Sequence, residues 1–330
     1  MKKISTQAVQ RARMTFFNLV VCLMAFAPTL ALAASATVNF GFSNPILQNV
    51  SVPKEANTVT TSNSPVFRNI QTSTELDTSY SAENFQVEGA PAAKSAPRFG
   101  IGIDVIMSDD LKVYNIPMSY AINRNFALQL NLPIVTAKFD DNNSGGSDTN
   151  TGIGDVNLTL KHHIGSEKGL AALYSLLTVK FASGDADKGL GTGSYDISLT
   201  EKVIKRIGDF RGTLMFGVTL PMNNPTILGS SVDYGANISY MAALEHTVVL
   251  PELWFGLRLA GLHSFETTIN GIGQSNALTT LDVIPEFNYY FKRNTAINLG
   301  VTVPVYTDYA LPGGSNNREI AVNFGVSTMF

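Results

Sequence analysis

The chain has 330 residues, of which 15% are charged and 27 are glycine, and its formal net charge is −3. The charged fraction is low and the glycine content high for a soluble domain. Nucleic-acid binding needs a basic stripe that matches the phosphate backbone, and this slightly acidic chain has none, so nucleic acid is excluded as a partner.

The N-terminus has the features of a cleaved secretory signal. Basic residues precede a mostly apolar run over 14–32, which ends in an alanine-rich stretch. This order predicts a signal peptide over residues 1–34. The only cysteine, Cys22, lies inside the run, so we expect no disulfide or thiol chemistry in the exported chain. The alternative is an anchoring helix, which the alanine-rich end does not favour.

Residues 35–97 form a polar segment rich in Ser, Thr, Asn and Ala, with scattered prolines and no sustained periodicity. The composition predicts a polar extension in front of the regular part of the chain. Two roles remain open for this extension. It is either a disordered tail in the periplasm or a plug folded into the lumen of a barrel.

Residues 98–330 consist of regular alternating segments. The first, Phe99–Met107, places Phe, Ile, Val and Met on one side. Each segment is long enough for the about 9–11 residues of a tilted membrane-spanning strand. We predict strands at 99–107, 111–122, 125–139, 152–164, 169–182, 194–206, 210–222, 232–246, 252–266, 277–291, 294–308 and 317–330. The predicted fold is all-β, a transmembrane antiparallel up-and-down β-barrel of about 12 strands.

The connections between these segments alternate in length, except for a short outer loop at 108–110 and a longer inner turn at 247–251. Tight turns are predicted at 123–124, 165–168, 207–209 and 292–293, and longer loops at 140–151, 183–193, 223–231, 267–276 and 309–316. Outer-membrane barrels have short periplasmic turns and longer outer loops, so both termini are expected on the periplasmic side. The terminal Phe330 resembles the signal by which the barrel-assembly machinery recognises outer-membrane proteins. A β-sandwich would need neither this residue nor lipid-facing apolar side chains on every segment.

Alternation also predicts which side chains face inward. In the segment 155–161, the polar residues share one side while Val and Leu share the other. Outer-membrane lipid contacts the apolar side, so the polar side is expected to line the lumen. The candidates for solute selectivity are Asp104, Asp155, Lys161, Lys180, Asp196, Lys202, Arg258, Asp282, Glu286 and Glu319. Further residues expected to face inward are Met215, Ile284, Tyr290 and Tyr306.

Buried charges are costly unless they are paired or hydrated, so Arg258 and the lysines are expected to neutralise some of the carboxylates. Structural pairing and a polar filter for solutes are both open roles for these residues. Catalysis is not predicted, because the adjacent pairs at 162–163 and 263–264 point to opposite faces of a strand. No cluster has metal-ligand spacing, and no cofactor is expected.

Glycine and aspartate recur at predicted strand starts, in T-G-I-G-D-V-N-L-T-L-K-H over 151–162 and in K-F-A-S-G-D over 180–185, which is followed by G-L-G-T-G-S-Y-D-I over 189–197. These motifs are similar to the family labelled "putative meta-pathway of phenol degradation", predicted outer-membrane transporters. The resemblance covers roughly residues 98–330 and implies uptake of aromatic or other small hydrophobic compounds. The family often has Pro-Thr-Gly-Asp where this chain has A-S-G-D over 182–185.

The aspartates of these motifs have a physical role of their own. Glycine lets the chain turn sharply from a loop into a strand, and an adjacent Asp can bond neighbouring backbone amides at the barrel rim. We expect this architectural role for Asp155 and Asp196, with contact to a solute as the alternative.

The sequence favours one function and leaves a second open. Barrels of about 8 strands are filled by side chains and those of about 16–18 hold open channels, so twelve strands permit a narrow path. A polar lumen of mixed charge favours an outer-membrane channel for passive uptake of small solutes. The alternative is a non-conducting structural or adhesive barrel, although outer loops of about 8–12 residues do not favour adhesion.

Overall fold

The computed structural model describes residues 99–108, 111–123, 125–141, 146–167, 169–248, 250–273, 277–291, 295–309 and 318–330. The predicted signal peptide and the polar extension lie outside the described residues. No helix within these ranges is long and apolar enough to cross a membrane.

The described residues form β-strands joined by turns and loops, which confirms the predicted all-β class. In chain order the strands are β1 (Phe99–Met107), β2 (Leu111–Ala121), β3 (Phe126–Asp141), β4 (Gly146–Ile153), β5 (Asn157–Gly165), β6 (Ala172–Lys180), β7 (Asp196–Ile207), β8 (Phe210–Pro221), β9 (Thr226–Ile227), β10 (Ser230–Asp233), β11 (Asn237–Val248), β12 (Leu250–Ser264), β13 (Thr268–Ile269), β14 (Ile272–Gly273), β15 (Leu278–Phe291), β16 (Thr295–Tyr309) and β17 (Ala321–Met329). Each of the twelve predicted segments overlaps one long strand.

The long strands form a closed antiparallel barrel. Each pairs with its neighbours in sequence, and β17 returns to pair with β1, which closes the ring. Both β4 and β5 pair with β3, β4 along its second half and β5 along its first. The thirteen strands of this sheet therefore occupy twelve positions around the barrel. This confirms the predicted antiparallel barrel of about 12 strands.

Three of the predicted long loops contain paired strands. Within 140–151, β3 continues to Asp141 and β4 begins at Gly146. The other two loops contribute to a second sheet, in the order β14-β13-β10-β9. Its hairpins turn at Leu228-Gly229 and Asn270-Gly271, where both residues have positive φ, as a two-residue type I′ turn requires. Strands of two to four residues are too short to show alternation in the sequence.

The two faces of the barrel wall differ in polarity. Along β1, Phe99, Ile101 and Ile103 are exposed, whereas Asp104 and Ile106 are buried. Exposed apolar side chains alternate with buried residues on β7, β8 and β12 in the same way. An apolar outer belt around a polar interior is the pattern of a barrel that contacts lipid.

The structure contradicts the prediction that Tyr306 faces inward. Leu281 pairs with Tyr306 but Asp282 pairs with Pro304, so Val305 is an extra residue in β16. Such a bulge reverses the faces of the residues beyond it, and Tyr306 is 46% exposed. Met215 and Ile284 are buried together in an interior apolar cluster, as predicted.

Candidate functional site

The barrel interior holds most of the charged residues predicted to line the lumen. Nine of them are no more than 8% exposed. They are Asp104, Asp155, Lys161, Lys180, Asp196, Lys202, Arg258, Asp282 and Glu286. Glu319 differs, because it is exposed and precedes the first paired residue of β17, Ala321, so the strand alternation does not apply to it. The role of these residues in selectivity stays a prediction.

Asp155 fastens the loop between β6 and β7. Its carboxylate is fully buried between β4 and β5. Oδ1 accepts the backbone N–H of Gly184 at 2.9 Å, and Oδ2 accepts the backbone N–H of Thr192 at 2.8 Å and its hydroxyl at 2.9 Å. A Cβ on Gly191 would overlap this carboxylate. The expected bonding of backbone amides by Asp155 is confirmed.

Lys180 completes this group of side chains. Its Nζ lies 2.6 Å from Asp196 Oδ2 and 3.7 Å from Asp155 Oδ2, and it donates to Thr192 Oγ1 at 2.6 Å. Asp196 accepts the hydroxyl of Ser194 at 2.7 Å, so its partners are side chains rather than the backbone amides expected from the sequence. We call Asp155, Lys180, Thr192, Ser194 and Asp196 the loop anchor.

The loop held by this anchor folds into the mouth of the barrel. Leu190 packs in a buried apolar cluster formed by inward-facing residues near the loop ends of β1, β2 and β3. The other members of this cluster are Ile106, Leu111, Val113, Val135 and Ala137. Residues 181–195 therefore combine a buried polar attachment with a buried apolar one.

Farther out on the same loop, Asp185 and Lys188 form an exposed ion pair with a 2.6 Å contact. The side-chain hydrogen bond from Lys188 holds the pKa of Asp185 below its usual value, and the same bond raises the pKa of Lys188. Because water screens both groups, we expect this pair to contribute little to stability.

A second group of charges lies nearer the short turns. Arg211 donates to Glu245 through Nε at 2.5 Å and Nη2 at 2.7 Å, and Asn288 donates to the same carboxylate at 3.3 Å. Arg258 pairs with Glu286. We call Arg211, Glu245, Arg258, Glu286 and Asn288 the turn-end cluster.

Trp254 and Gly256 form part of the surroundings of this cluster. The ring centre of Trp254 lies 4.8 Å from the guanidinium group of Arg206 and 5.1 Å from that of Arg211. Gly256 separates the two carboxylates, and a Cβ there would lie 2.8 Å from Glu286 Oε1 and 3.1 Å from Glu245 Cγ. A side chain at this position would therefore require the two acidic side chains to shift.

The sequence prediction missed Arg211 and Glu245. Arg211 had a usable signal, because it precedes Met215 by four residues on β8 and so shares the inward face already predicted for Met215. Glu245 lies on β11, where the apolar Met241 and Ala243 share its face. Polarity therefore does not separate the two faces of β11.

The histidine pairs have separate surroundings. His162 stacks on Phe126 and His163 on Tyr174, with ring centres 4.5 and 4.6 Å apart. His263 shares a 2.9 Å hydrogen bond with Thr279. Among the described residues, no three His, Cys, Asp or Glu side chains are arranged to hold a metal ion.

Comparisons with known proteins identify a family and a solved structure of similar fold. Residues 87–317 match the family described as "Putative MetA-pathway of phenol degradation". The COG4313 outer membrane channel from Pseudomonas putida F1 is 15% identical with a TM-score of 0.57, and the match covers 74% of this chain and 100% of that one. At this identity the likeness shows the fold, that of an outer-membrane channel.

Two further solved barrels are more distant. The NanC porin is 10% identical with a TM-score of 0.46, covering 70% of this chain and 98% of that one. The translocator domain of the autotransporter NalP from Neisseria meningitidis is 10% identical with a TM-score of 0.40, covering 79% and 98%. No curated protein sequence matches the chain.

Proposed function

The chain belongs to the family described as "Putative MetA-pathway of phenol degradation", which matches more than half of its length, and we propose that it is an outer-membrane channel for passive uptake of small solutes. Aromatic and other hydrophobic compounds are the proposed cargo, after the resemblance and the family's description. The proposed location is the outer membrane of a Gram-negative cell, reached through a signal peptide over residues 1–34.

The observation that carries this proposal is the contrast between the two faces of the closed barrel. Its outer face exposes large apolar side chains, and its interior buries acidic, basic and amide groups. Lipid favours the first arrangement, and a hydrated path favours the second. Phe330 is 69% exposed at the end of the chain, and its proposed partner is the barrel-assembly machinery.

Single-channel conductance in planar bilayers tests the proposal. The mature chain, beginning at residue 35, is compared with a version that lacks residues 35–97. Discrete openings of the mature chain are expected from a channel. Openings that occur only after truncation would identify the polar extension as a plug, and silence of both proteins would contradict the proposal.

The second candidate is a barrel that does not conduct. The observation that favours it is the nearly complete burial and ion pairing of the charged interior residues. A barrel whose interior is filled by side chains leaves no room for a solute path. The same pair of bilayer recordings separates the two candidates, because silence of both proteins is expected only from the non-conducting barrel.

Arg318 provides a test of charge selectivity. Its Nη1 and Nη2 lie 2.6 and 3.0 Å from the two oxygens of Asp282, and it is the more exposed partner. Arg318→Gln removes the positive charge and keeps Asp282, so we expect the channel to shift towards cations. The reversal potential in a KCl gradient measures this shift. The control is Lys112→Gln, which removes the same charge from the exposed outer face of β2 and should leave the potential unchanged. An unchanged potential in Arg318→Gln would place Asp282 away from the path.

A further inference from the structure

Four carboxamide side chains form a patch on the inner wall. Asn115 on β2, Gln129 and Asn131 on β3, and Asn157 on β5 all face inward and are 6% exposed or less. Asn131 pairs directly with Asn157 across neighbouring strands, and Asn115 lies diagonally to Asn131. We call these four residues the carboxamide cluster.

The cluster leaves polar atoms unpaired. Gln129 Nε2 donates to Asn131 Oδ1 at 3.0 Å. Within the part of the chain that the structure describes, Asn115 Nδ2, Gln129 Oε1 and Asn157 Oδ1 have no hydrogen-bond partner. A buried polar atom without a partner costs about 1–3 kcal/mol.

The surroundings of the cluster limit the kind of molecule that could pair with these atoms. Val113 lies two residues from Asn115 on the same face of β2, about 7 Å along the strand, and it belongs to the apolar cluster at the loop end. Asp104 lies opposite Asn115 and Lys161 lies diagonally to Gln129, so the charged neighbours of the cluster have both signs and favour neither an anion nor a cation. Lys180 lies opposite Asn157, but its charge is already paired with Asp196.

We propose that the carboxamide cluster is a binding site for small uncharged solutes that carry a hydroxyl or amide group on an apolar body. The polar group pairs with the free carboxamide atoms while the apolar body contacts Val113 and its neighbours. Carboxamides suit this task because they both donate and accept hydrogen bonds without adding a charge. The inference rests on the proposed uptake function and assigns the solute class to named residues.

A binding role and a structural role for these amides predict different effects of substitution on the stability of the barrel. If these amides serve a solute, replacing them with leucine of similar size removes unpaired polar atoms and leaves the empty barrel equally stable or more stable. If they serve the fold, leucine destabilises it. Solute binding and barrel stability therefore change in different directions only under the proposal.

The test uses the double variant Asn115→Leu/Asn157→Leu of the mature chain. Binding of phenol to the protein in detergent micelles is measured by titration calorimetry, with empty micelles subtracted. Toluene, which lacks the hydroxyl, and benzoate, which is an anion, are the comparison probes. The midpoint of urea unfolding measures stability, and heat-dependent gel mobility establishes that the variant has formed its barrel.

We expect phenol to bind the unmodified protein more tightly than toluene or benzoate, and the double variant to lose about ten-fold in phenol affinity without a lower urea midpoint. The matched control is Asn288→Leu, because Asn288 is an equally buried inward carboxamide that already donates to Glu245. This control is expected to lower the urea midpoint and to keep phenol affinity.

Several results would overturn the inference. They are the absence of phenol binding, equal affinity for phenol and toluene, unchanged phenol affinity in the folded double variant, and a double variant whose urea midpoint falls. Bilayer recordings on the same preparations separate this failure from that of the proposed function. If the channel opens but phenol does not bind, the proposed function stands and the proposed binding site is refuted. If the recordings are silent, the proposed function is contradicted, and calorimetry still tests the binding site.

Discussion

Replacing Glu245 with leucine is expected to destabilise the barrel by about 3–5 kcal/mol, because a buried guanidinium then loses its carboxylate partner. Arg211 is buried and makes two contacts of 2.5 and 2.7 Å with Glu245. Removing one member of such a pair leaves the other charge buried without its oppositely charged partner. The free energy of unfolding in urea measures the loss.

The companion variant is Arg211→Met/Glu245→Leu. Replacing both members of a buried pair with apolar residues is often neutral or stabilising, so we expect the double variant to recover most of the loss. Trp254 is the only tryptophan of the chain and lies beside Arg211, so its fluorescence reports on the rearrangement of this cluster.

The exposed pair of Asp185 and Lys188 supplies the matched control. Its contact is also short, at 2.6 Å, but both side chains are exposed to water. Asp185→Asn is therefore expected to leave the urea midpoint unchanged. If Glu245→Leu proved no more destabilising than Asp185→Asn, burial would not be what gives the turn-end cluster its effect.

Alternation predicted the barrel because the physical demand repeats on every spanning strand. Lipid requires apolar side chains on one face, and the period of two then assigns the other face to the interior. Asp104, Lys180 and Asp282 were assigned to the interior in this way and are buried in the structure. The even strand number and the alternating turn lengths follow from the same repeated unit.

Alternation gave no prediction where lipid no longer requires apolar side chains on one face of a strand. In β4, backbone pairing continues in a stretch of Gly, Ser, Asp, Thr and Asn that has no apolar face, so alternation gave no signal. The bulge at Val305 depends on one extra residue in β16 relative to β15, which a single strand does not reveal. Asn115 was missed because apolar Leu111 and Val113 share its inward face.

For the aspartates of the glycine-aspartate motifs, the sequence predicted the local chemistry but not the distant partners. Glycine and aspartate next to a strand predict a carboxylate that bonds backbone amides, and Asp155 does so. The amides belong to Gly184 and Thr192, which lie far along the chain and reach Asp155 only because β6 pairs with β5. Sequence chemistry therefore predicted the kind of bond, and the barrel topology supplied its partners.

Asp155→Ala is expected to release the loop over residues 181–195 from the barrel mouth. The substitution removes three charge-assisted hydrogen bonds, and we expect the free energy of loop opening to fall by about 3 kcal/mol. Such a fall increases the open population about a hundred-fold. Lys188 is an exposed trypsin site on this loop, so limited trypsin digestion measures the change as the rate of cleavage after Lys188.

Two further variants serve as references for the cleavage rate of Asp155→Ala. Asp155→Asn keeps one carbonyl acceptor and should give an intermediate cleavage rate, whereas Asp209→Asn in an exposed turn between β7 and β8 should leave the rate unchanged. Equal cleavage of Asp155→Ala and the unmodified chain would show that Leu190, packed in its apolar cluster, holds the loop without the carboxylate. Faster cleavage would instead establish the loop anchor as the attachment that keeps this segment folded into the mouth, where release should also raise the frequency of channel openings.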